Sequence, residues 1–159
     1  MIKSKLIPKI NEDTNKIHSF LLEKKIFEKI NPYKTKYFSG SIEIDPRVTT
    51  QDQIELLSAN GINRFSLGIQ DFNEEVQRVI NRVQPMGMVE NVLNILRQYK
   101  AQSINFDLIY GLPKQSIETL NETMAIVEQL APDTLALYSY AHVPWKAPAQ
   151  RSLEKYGIS

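Results

Sequence analysis

Glu43, Gln70 and Asp107 occupy comparable places in three apolar segments. These read Ser41-Ile-Glu-Ile-Asp-Pro, Arg64-Phe-Ser-Leu-Gly-Ile-Gln-Asp-Phe and Ile104-Asn-Phe-Asp-Leu-Ile-Tyr-Gly-Leu-Pro. A carboxylate inside such a segment is costly unless something pairs with it. Carboxylates accept hydrogen bonds, and an amide both donates and accepts. Several such groups meeting at one end of a parallel sheet can grip a polar ligand, as strand ends do in α/β barrels. Taken one at a time the residues are weaker. Asp107, set among Ile104, Phe106, Leu108 and Ile109, also suits a structural carboxylate that caps a loop or pairs with an arginine. Glu43 alternates with Ile42 and Ile44, as in any half-exposed strand. Gln70 follows Gly68, where a small residue lets backbone or ligand approach closely. Arg82 alone reads as a surface charge, and Tyr138, Tyr140 and Trp145 as core or lid aromatics.

Composition removes several chemistries. The chain has no cysteine, which excludes disulfides, thiol nucleophiles and thiolate-held metals built from it. His18 and His142 are the only histidines, so no histidine metal site is expected. The formal net charge is +1, and nothing in it calls for a polyanionic partner. Residues 1–38 hold nine lysines against four acids. That basic leader reads as a solvated helix face, and neither a nucleic-acid nor a membrane partner is expected. No apolar run approaches the roughly 20 residues of a membrane span, and the first residues lack a signal-peptide core. The expected location is the cytoplasm.

The elements that must position these residues follow from periodicity. In the leader, Ile17, Phe20, Leu21, Ile26, Phe27 and Ile30 suit one or two amphipathic helices ending near Pro32. Strands are expected at about 40–45, 63–69, 103–109 and 134–140. Thr50 and Gln53 have capping-box spacing, and Gly61 suits the end of that helix. Asn73 opens a short helix. A longer one follows, with Val89, Val92, Leu93, Leu96 and Tyr99 on one face. Ser116 caps another, with an expected inner stripe of Ile117, Leu120, Met124 and Val127. Residues 142–159 suit a loop and a short helix. Strands alternating with helices predict an α/β fold with a parallel sheet and two zones, a helical leader at 1–38 and a strand–helix region at 39–159.

Read together, five motifs are more specific: Glu43-Ile-Asp-Pro-Arg47, Ser66-Leu-Gly-Ile-Gln-Asp-Phe72, Val76-Gln-Arg-Val-Ile-Asn-Arg-Val-Gln84, Asp107-Leu-Ile-Tyr-Gly-Leu-Pro-Lys-Gln115 and Tyr140-Ala-His-Val-Pro-Trp145. In order and spacing this series resembles the oxygen-independent coproporphyrinogen III dehydrogenases, radical S-adenosylmethionine enzymes of haem biosynthesis. The resemblance covers roughly residues 40–155. It implies about four of the six βα units of a three-quarter barrel. It also implies oxidative decarboxylation of two propionates of coproporphyrinogen III to vinyls, giving protoporphyrinogen IX, with S-adenosylmethionine and a 4Fe-4S cluster. Matched by motif, Glu43 would contact one S-adenosylmethionine. Gln70, Arg82, Asp107 and the Ala141 backbone would contact a second.

The departures are as informative. The family's CxxxCxxC loop and its GGGTP segment are missing, so the chain resembles the middle of such an enzyme and is expected to be inactive alone. Two other readings stand beside this one. A haem-trafficking radical S-adenosylmethionine paralogue is disfavoured by Ile80-Asn-Arg82, where that group reads leucine-glycine-arginine. A non-catalytic binding module, or a degenerate gene product, is favoured by the absence of cysteine. A barrel lacking its first strands is also expected to leave Ile42 and Ile44 uncovered on an open edge, inviting self-association.

Overall fold

Alternation along each strand decides how this molecule is layered. In the computed structural model, which describes residues 23–157, odd and even strand positions part cleanly between an apolar and a polar face. The elements run as helix α1 (23–30), a 3-10 turn at Asn31–Tyr33, β1 (Gly40–Ile44), α2 (Gln51–Ala59), β2 (Ile62–Gln70), α3 (Glu74–Val79), α4 (Met86–Gln98), β3 (Ser103–Tyr110), α5 (Ile117–Leu130), β4 (Thr134–Ser139) and a 3-10 segment at Pro148–Tyr156. The four strands form one sheet in the order β1-β2-β3-β4, all parallel. Consecutive parallel strands need a crossover, and helices supply each one.

Local chemistry starts and stops these helices as expected. Thr50 and Gln53 close a reciprocal capping box on α2. Asn73 caps α3 through the N–H groups of Glu75 and Val76. Ser116 and Thr119 close a second box on α5. Gly61 takes φ +84° just beyond α2, a conformation glycine adopts without steric penalty.

The core lies between the sheet and its helices. Ile44, Phe65, Leu67, Ile69, Ile104, Phe106 and Leu108 face Ile54 and Leu57 of α2, and Val89, Val92, Leu93 and Leu96 of α4. Each such side chain withdrawn from water contributes about 1.5–3 kcal/mol. Phe27 of α1 joins the same cluster. The expected leader helix residues Ile17, Phe20 and Leu21 lie outside the described residues.

Two expectations about packing are overturned. Ile44 is only 7% exposed and Ile42 packs against the core, so β1 is not a bare apolar edge. The apolar residues point to the helices and not to the barrel axis, so losing neighbouring strands does not strip them. Among the described residues the uncovered apolar edge is β4, where Leu135 and Leu137 are 46% and 58% exposed. Along α5 the buried residues are Thr123, Val127 and Leu130; of the expected stripe only Val127 is buried, and Ile117 and Met124 are 76% and 39% exposed. Thr123 is drawn inward by hydrogen bonds to Asp71 and to the N–H of Phe72. That leaves Ile117 exposed and turns Met124 toward an open groove of about 740 Å3 between α5 and β4.

Candidate functional site

The face of the sheet away from the helices is polar throughout its middle. Strand register sets Glu43 beside Ser66, and Ser66 beside Asn105. Two residues further along, Gly68 lies beside Asp107, and Asp107 beside Ala136. Ser66 Oγ donates to Asp107 Oδ2 at 2.6 Å, and Asn105 Nδ2 donates to Asp107 Oδ1 at 2.8 Å. Both oxygens of a half-buried carboxylate are thereby satisfied, which holds it in one orientation on the strand. Asn105 is fixed in turn by Thr134, whose hydroxyl donates to its Oδ1 at 3.0 Å.

Gly68 is the point where the other residues meet. A methyl group built on its α-carbon would lie 2.9 Å from Gln70 Nε2, 3.0 Å from an Arg82 guanidinium nitrogen and 3.4 Å from Glu43 Oε1. Three polar side chains therefore close over a bare α-carbon, and only glycine leaves them that room. Gln70 arrives by an unusual backbone route. The β2–β3 register shifts between Gly68 and Gln70, so Ile69 and Gln70 together oppose Leu108 in a bulge. Gln70 has φ +68°, which costs a non-glycine residue about 1–2 kcal/mol.

Arg82 is held from two sides. Its Nε donates to the Gly68 carbonyl at 2.9 Å, and its Nη1 lies 3.4 Å from Asp45 Oδ2. The remaining Nη2 is the nitrogen that faces the glycine. Burial pulls the guanidinium below its ordinary value, and the charges of Asp45 and Glu43 oppose that pull. Arginine remains charged regardless. Asp45 is gripped by Arg47 at 2.7 Å. Burial alone would raise its carboxyl. The Arg47 hydrogen bonds and the Arg82 charge outweigh it and hold the group below its ordinary value.

Of the five residues singled out in the sequence, the structure gathers Glu43, Gln70 and Arg82 at one glycine and puts Asp107 beside it on the next strand. Ala141 lies apart. It follows β4 at the same end of the sheet, two strands from β2, and its carbonyl accepts from Gln150 at 3.0 Å. The sequence reading gave no role to Asp45, Ser66, Gln84 or Asn105. Ser66 and Asn105 were findable, because they alternate with Gly68 and Asp107 at the strand period of two. Asp71, fully buried beside Gln70, is structural. It accepts from the Asn73 N–H at 2.6 Å, from Thr123 at 2.8 Å and from Gln115 at 2.5 Å.

Further down the same polar face lies a shallow cavity of about 310 Å3 lined by Ser41, Glu43, Arg64, Ser66, Ser103 and Asn105. The larger groove at α5 and β4 is on the opposite, apolar side of the sheet and belongs to the uncovered edge.

Comparison with known proteins gives a consistent result. Residues 8–127 match the model of the radical SAM superfamily. The chain is 44% identical over 128 residues to an oxygen-independent coproporphyrinogen III oxidase from Helicobacter pylori, covering 80% of this chain and 28% of that protein. The Escherichia coli oxidase of the same name is 46% identical over 114 residues, covering 72% of this chain and 25% of that one. Among solved structures, the E. coli coproporphyrinogen III oxidase, described as a radical SAM enzyme, superposes with a TM-score of 0.81 at 38% identity, covering 86% of this chain and 32% of that one. A radical S-adenosylmethionine methyltransferase from Kitasatospora setae superposes with a TM-score of 0.65 at 12% identity, covering 83% of this chain and 26% of that one, a likeness of fold alone. The chain thus spans between a quarter and a third of the length of these relatives.

Proposed function

The chain belongs to the radical SAM superfamily, and from that premise we propose that residues 40–141 are the S-adenosylmethionine-contacting part of an oxygen-independent coproporphyrinogen III oxidase. The observation that carries this reading is the convergence of Glu43, Gln70 and Arg82 over Gly68. S-adenosylmethionine brings an ammonium, a carboxylate and ribose hydroxyls. A guanidinium with one free edge suits the carboxylate, and a carboxylate suits the ammonium or the hydroxyls. The Gln70 amide serves either partner. Asp107, already oriented by Ser66 and Asn105, offers a second acceptor one strand away. Ala141 belongs to the same proposed contact set through its backbone. In this proposal Glu43 meets one S-adenosylmethionine, and Gln70, Arg82, Asp107 and Ala141 meet a second.

The cluster is a different case. In the superfamily a 4Fe-4S cluster supplies the electron that cleaves the cofactor, and such clusters are held by thiolates. These 159 residues include none. Among the described residues no group of His, Asp and Glu is placed to hold a metal ion. The residues present bind and orient, and a porphyrinogen substrate would meet them only in a site completed by other groups. Alone, the chain has no oxidase activity under this reading.

The non-catalytic binding module remains the second reading, favoured by the same lack of cysteine. The proposed location is the cytoplasm, and no helix among the described residues is long and apolar enough to cross a membrane. Self-association, if the isolated chain shows it, is assigned to β4. Calorimetric titration with S-adenosylmethionine tests the main reading. Weak saturable binding, lost in Arg82→Ala, is expected. No heat of binding in the unmodified chain, or equal binding by Arg82→Ala, removes the site.

A further inference from the structure

The connection between α3 and α4 carries a buried amide that the ligand set does not use. Gln84 is fully buried. Its Nε2 donates to the carbonyls of both Gly68, at 3.0 Å, and Ile69, at 2.5 Å. Those are the carbonyls at the point in β2 where the register with β3 slips, between Gly68 and Gln70. Buried carbonyls need donors, and one side chain reaches both, beside the Arg82 Nε–H on Gly68 and the Asp71 N–H, at 2.9 Å, on Ile69. Gln84 is itself anchored. Its N–H donates to Gln77 Oε1 at 3.0 Å, and its carbonyl accepts from Gln77 Nε2 at 3.1 Å. Gln77 Nε2 also donates to the Asp71 carbonyl at 2.8 Å. The bulge is thus tied to the loop that follows it.

We propose that Gln84 is a positioning residue: by clamping the Gly68 and Ile69 carbonyls it fixes the bulge that turns Gln70 over Gly68. Three observations support this over a filler role. The amide points both its hydrogens at the bulge and leaves its Oε1 buried without a partner, so the two carbonyls set its orientation. The residue immediately after them, Gln70, holds φ +68°, which surrounding structure must enforce. Arg82, two residues before Gln84, donates to the same Gly68 carbonyl, so the clamp also sets the height of the guanidinium. Gln84 touches no ligand in this scheme and acts through Gln70 and Arg82.

The proposal rests on the S-adenosylmethionine reading for its functional meaning, and the test separates the two. Gln84→Met keeps the length and removes the donor, and Gln84→Glu restores one donor only when its carboxyl is protonated. In the full chain, nitrogen-15 NMR of the Gln70 side-chain amide and the Arg82 Nε–H reads the geometry directly. Both signals are expected to move in Gln84→Met, while the Asn60 and Asn63 amides stay in place. In Gln84→Glu the Gln70 signal is expected to return toward its original position as pH falls. Calorimetry with S-adenosylmethionine should show about tenfold weaker binding for Gln84→Met, the size of one lost hydrogen bond. In a Gln70→Ala background the same substitution should have a smaller effect, because only the route through Arg82 remains. Unmoved Gln70 and Arg82 signals overturn the proposal, as does an equal loss of affinity in the Gln70→Ala background. Absence of binding in the unmodified chain overturns the cofactor reading, and the NMR result then decides the positioning role by itself. Should Gln84→Met fail to fold, the pH-dependent return in Gln84→Glu decides it.

Discussion

Arg82 and Gln84 share one acceptor: both donate to the carbonyl oxygen of Gly68, at 2.9 and 3.0 Å. Two side chains from one loop thus hold the same peptide group of β2, one reaching on toward solvent and one sealed in the interior. The first carries the charge a ligand would meet, and the second keeps the strand end where that charge is needed.

Gly68→Ala is the sharpest probe of this arrangement. The added methyl meets only the ends of Gln70, Arg82 and Glu43, which are flexible and can swing away. The backbone at Gly68 is not among the positive-φ positions, so alanine fits it without strain. Stability should hold to within about 1 kcal/mol, while S-adenosylmethionine affinity falls more than about tenfold. Thermal melts and calorimetry read the two effects separately. Unchanged affinity would show that the convergence over Gly68 is not the site.

Asp107→Ala removes the acceptor of Ser66 and Asn105. The position is half-buried, so water repairs part of the loss, and a cost of about 1 kcal/mol is expected. Binding of S-adenosylmethionine should disappear. Equal binding by the variant and the unmodified chain would take Asp107 out of the ligand set.

Asp71→Ala should act on the fold, not on the ligand. It strips three donors of a fully buried acceptor, among them Thr123 of α5 and Gln115 of the β3–α5 loop. A loss of about 3 kcal/mol in urea unfolding is expected. A loss below about 1 kcal/mol would mean that the loops are held by something else.

Acid should weaken the Asp45 corner. Its folded carboxyl titrates below the ordinary value, so the charged form is favoured in the native state. That contribution is fully present above about pH 4, and it is lost as pH falls through the folded value. Asp45→Asn should lower stability near neutral pH and flatten the acid limb of the stability curve. An acid limb as steep as that of the unmodified chain would contradict this assignment.

Leu137→Glu tests the exposed edge. β4 carries no charge and no proline, and its outer leucines are uncovered. Light scattering should show less self-association for the variant if this edge pairs between copies. The same change at Ile44 should instead unfold the chain, because Ile44 lies in the core. Unaltered association in Leu137→Glu would exonerate β4.

Much of this was visible in strand alternation. Four parallel strands, the Thr50–Gln53 capping box, the Ser116 cap and the approach of Glu43, Gln70 and Asp107 to one end of the sheet follow from periodicity and residue type. What alternation does not say is which face looks outward. Ile42 and Ile44 were expected uncovered on an open edge, yet in this sheet the helices take the apolar face and the polar residues take the other. The α5 stripe was misread because Thr123, a polar residue, is pulled inward by Asp71, and no hydropathy pattern marks that contact. Gln84 was hidden for a related reason. A buried amide in a loop has no period, and its meaning lies in two carbonyls about fifteen residues upstream.

The division of each strand between alternate residues has a consequence for how such a protein can change over generations. Phe65, Leu67, Phe106 and Leu108 answer to the helices, while Ser66, Gly68, Asn105 and Asp107 answer to whatever lies on the axis. Selection can rewrite the second set with little penalty from the first. A lineage built on this sheet is therefore free to trade one ligand for another by editing every other codon of two short stretches, and heritable novelty comes at little risk to foldability.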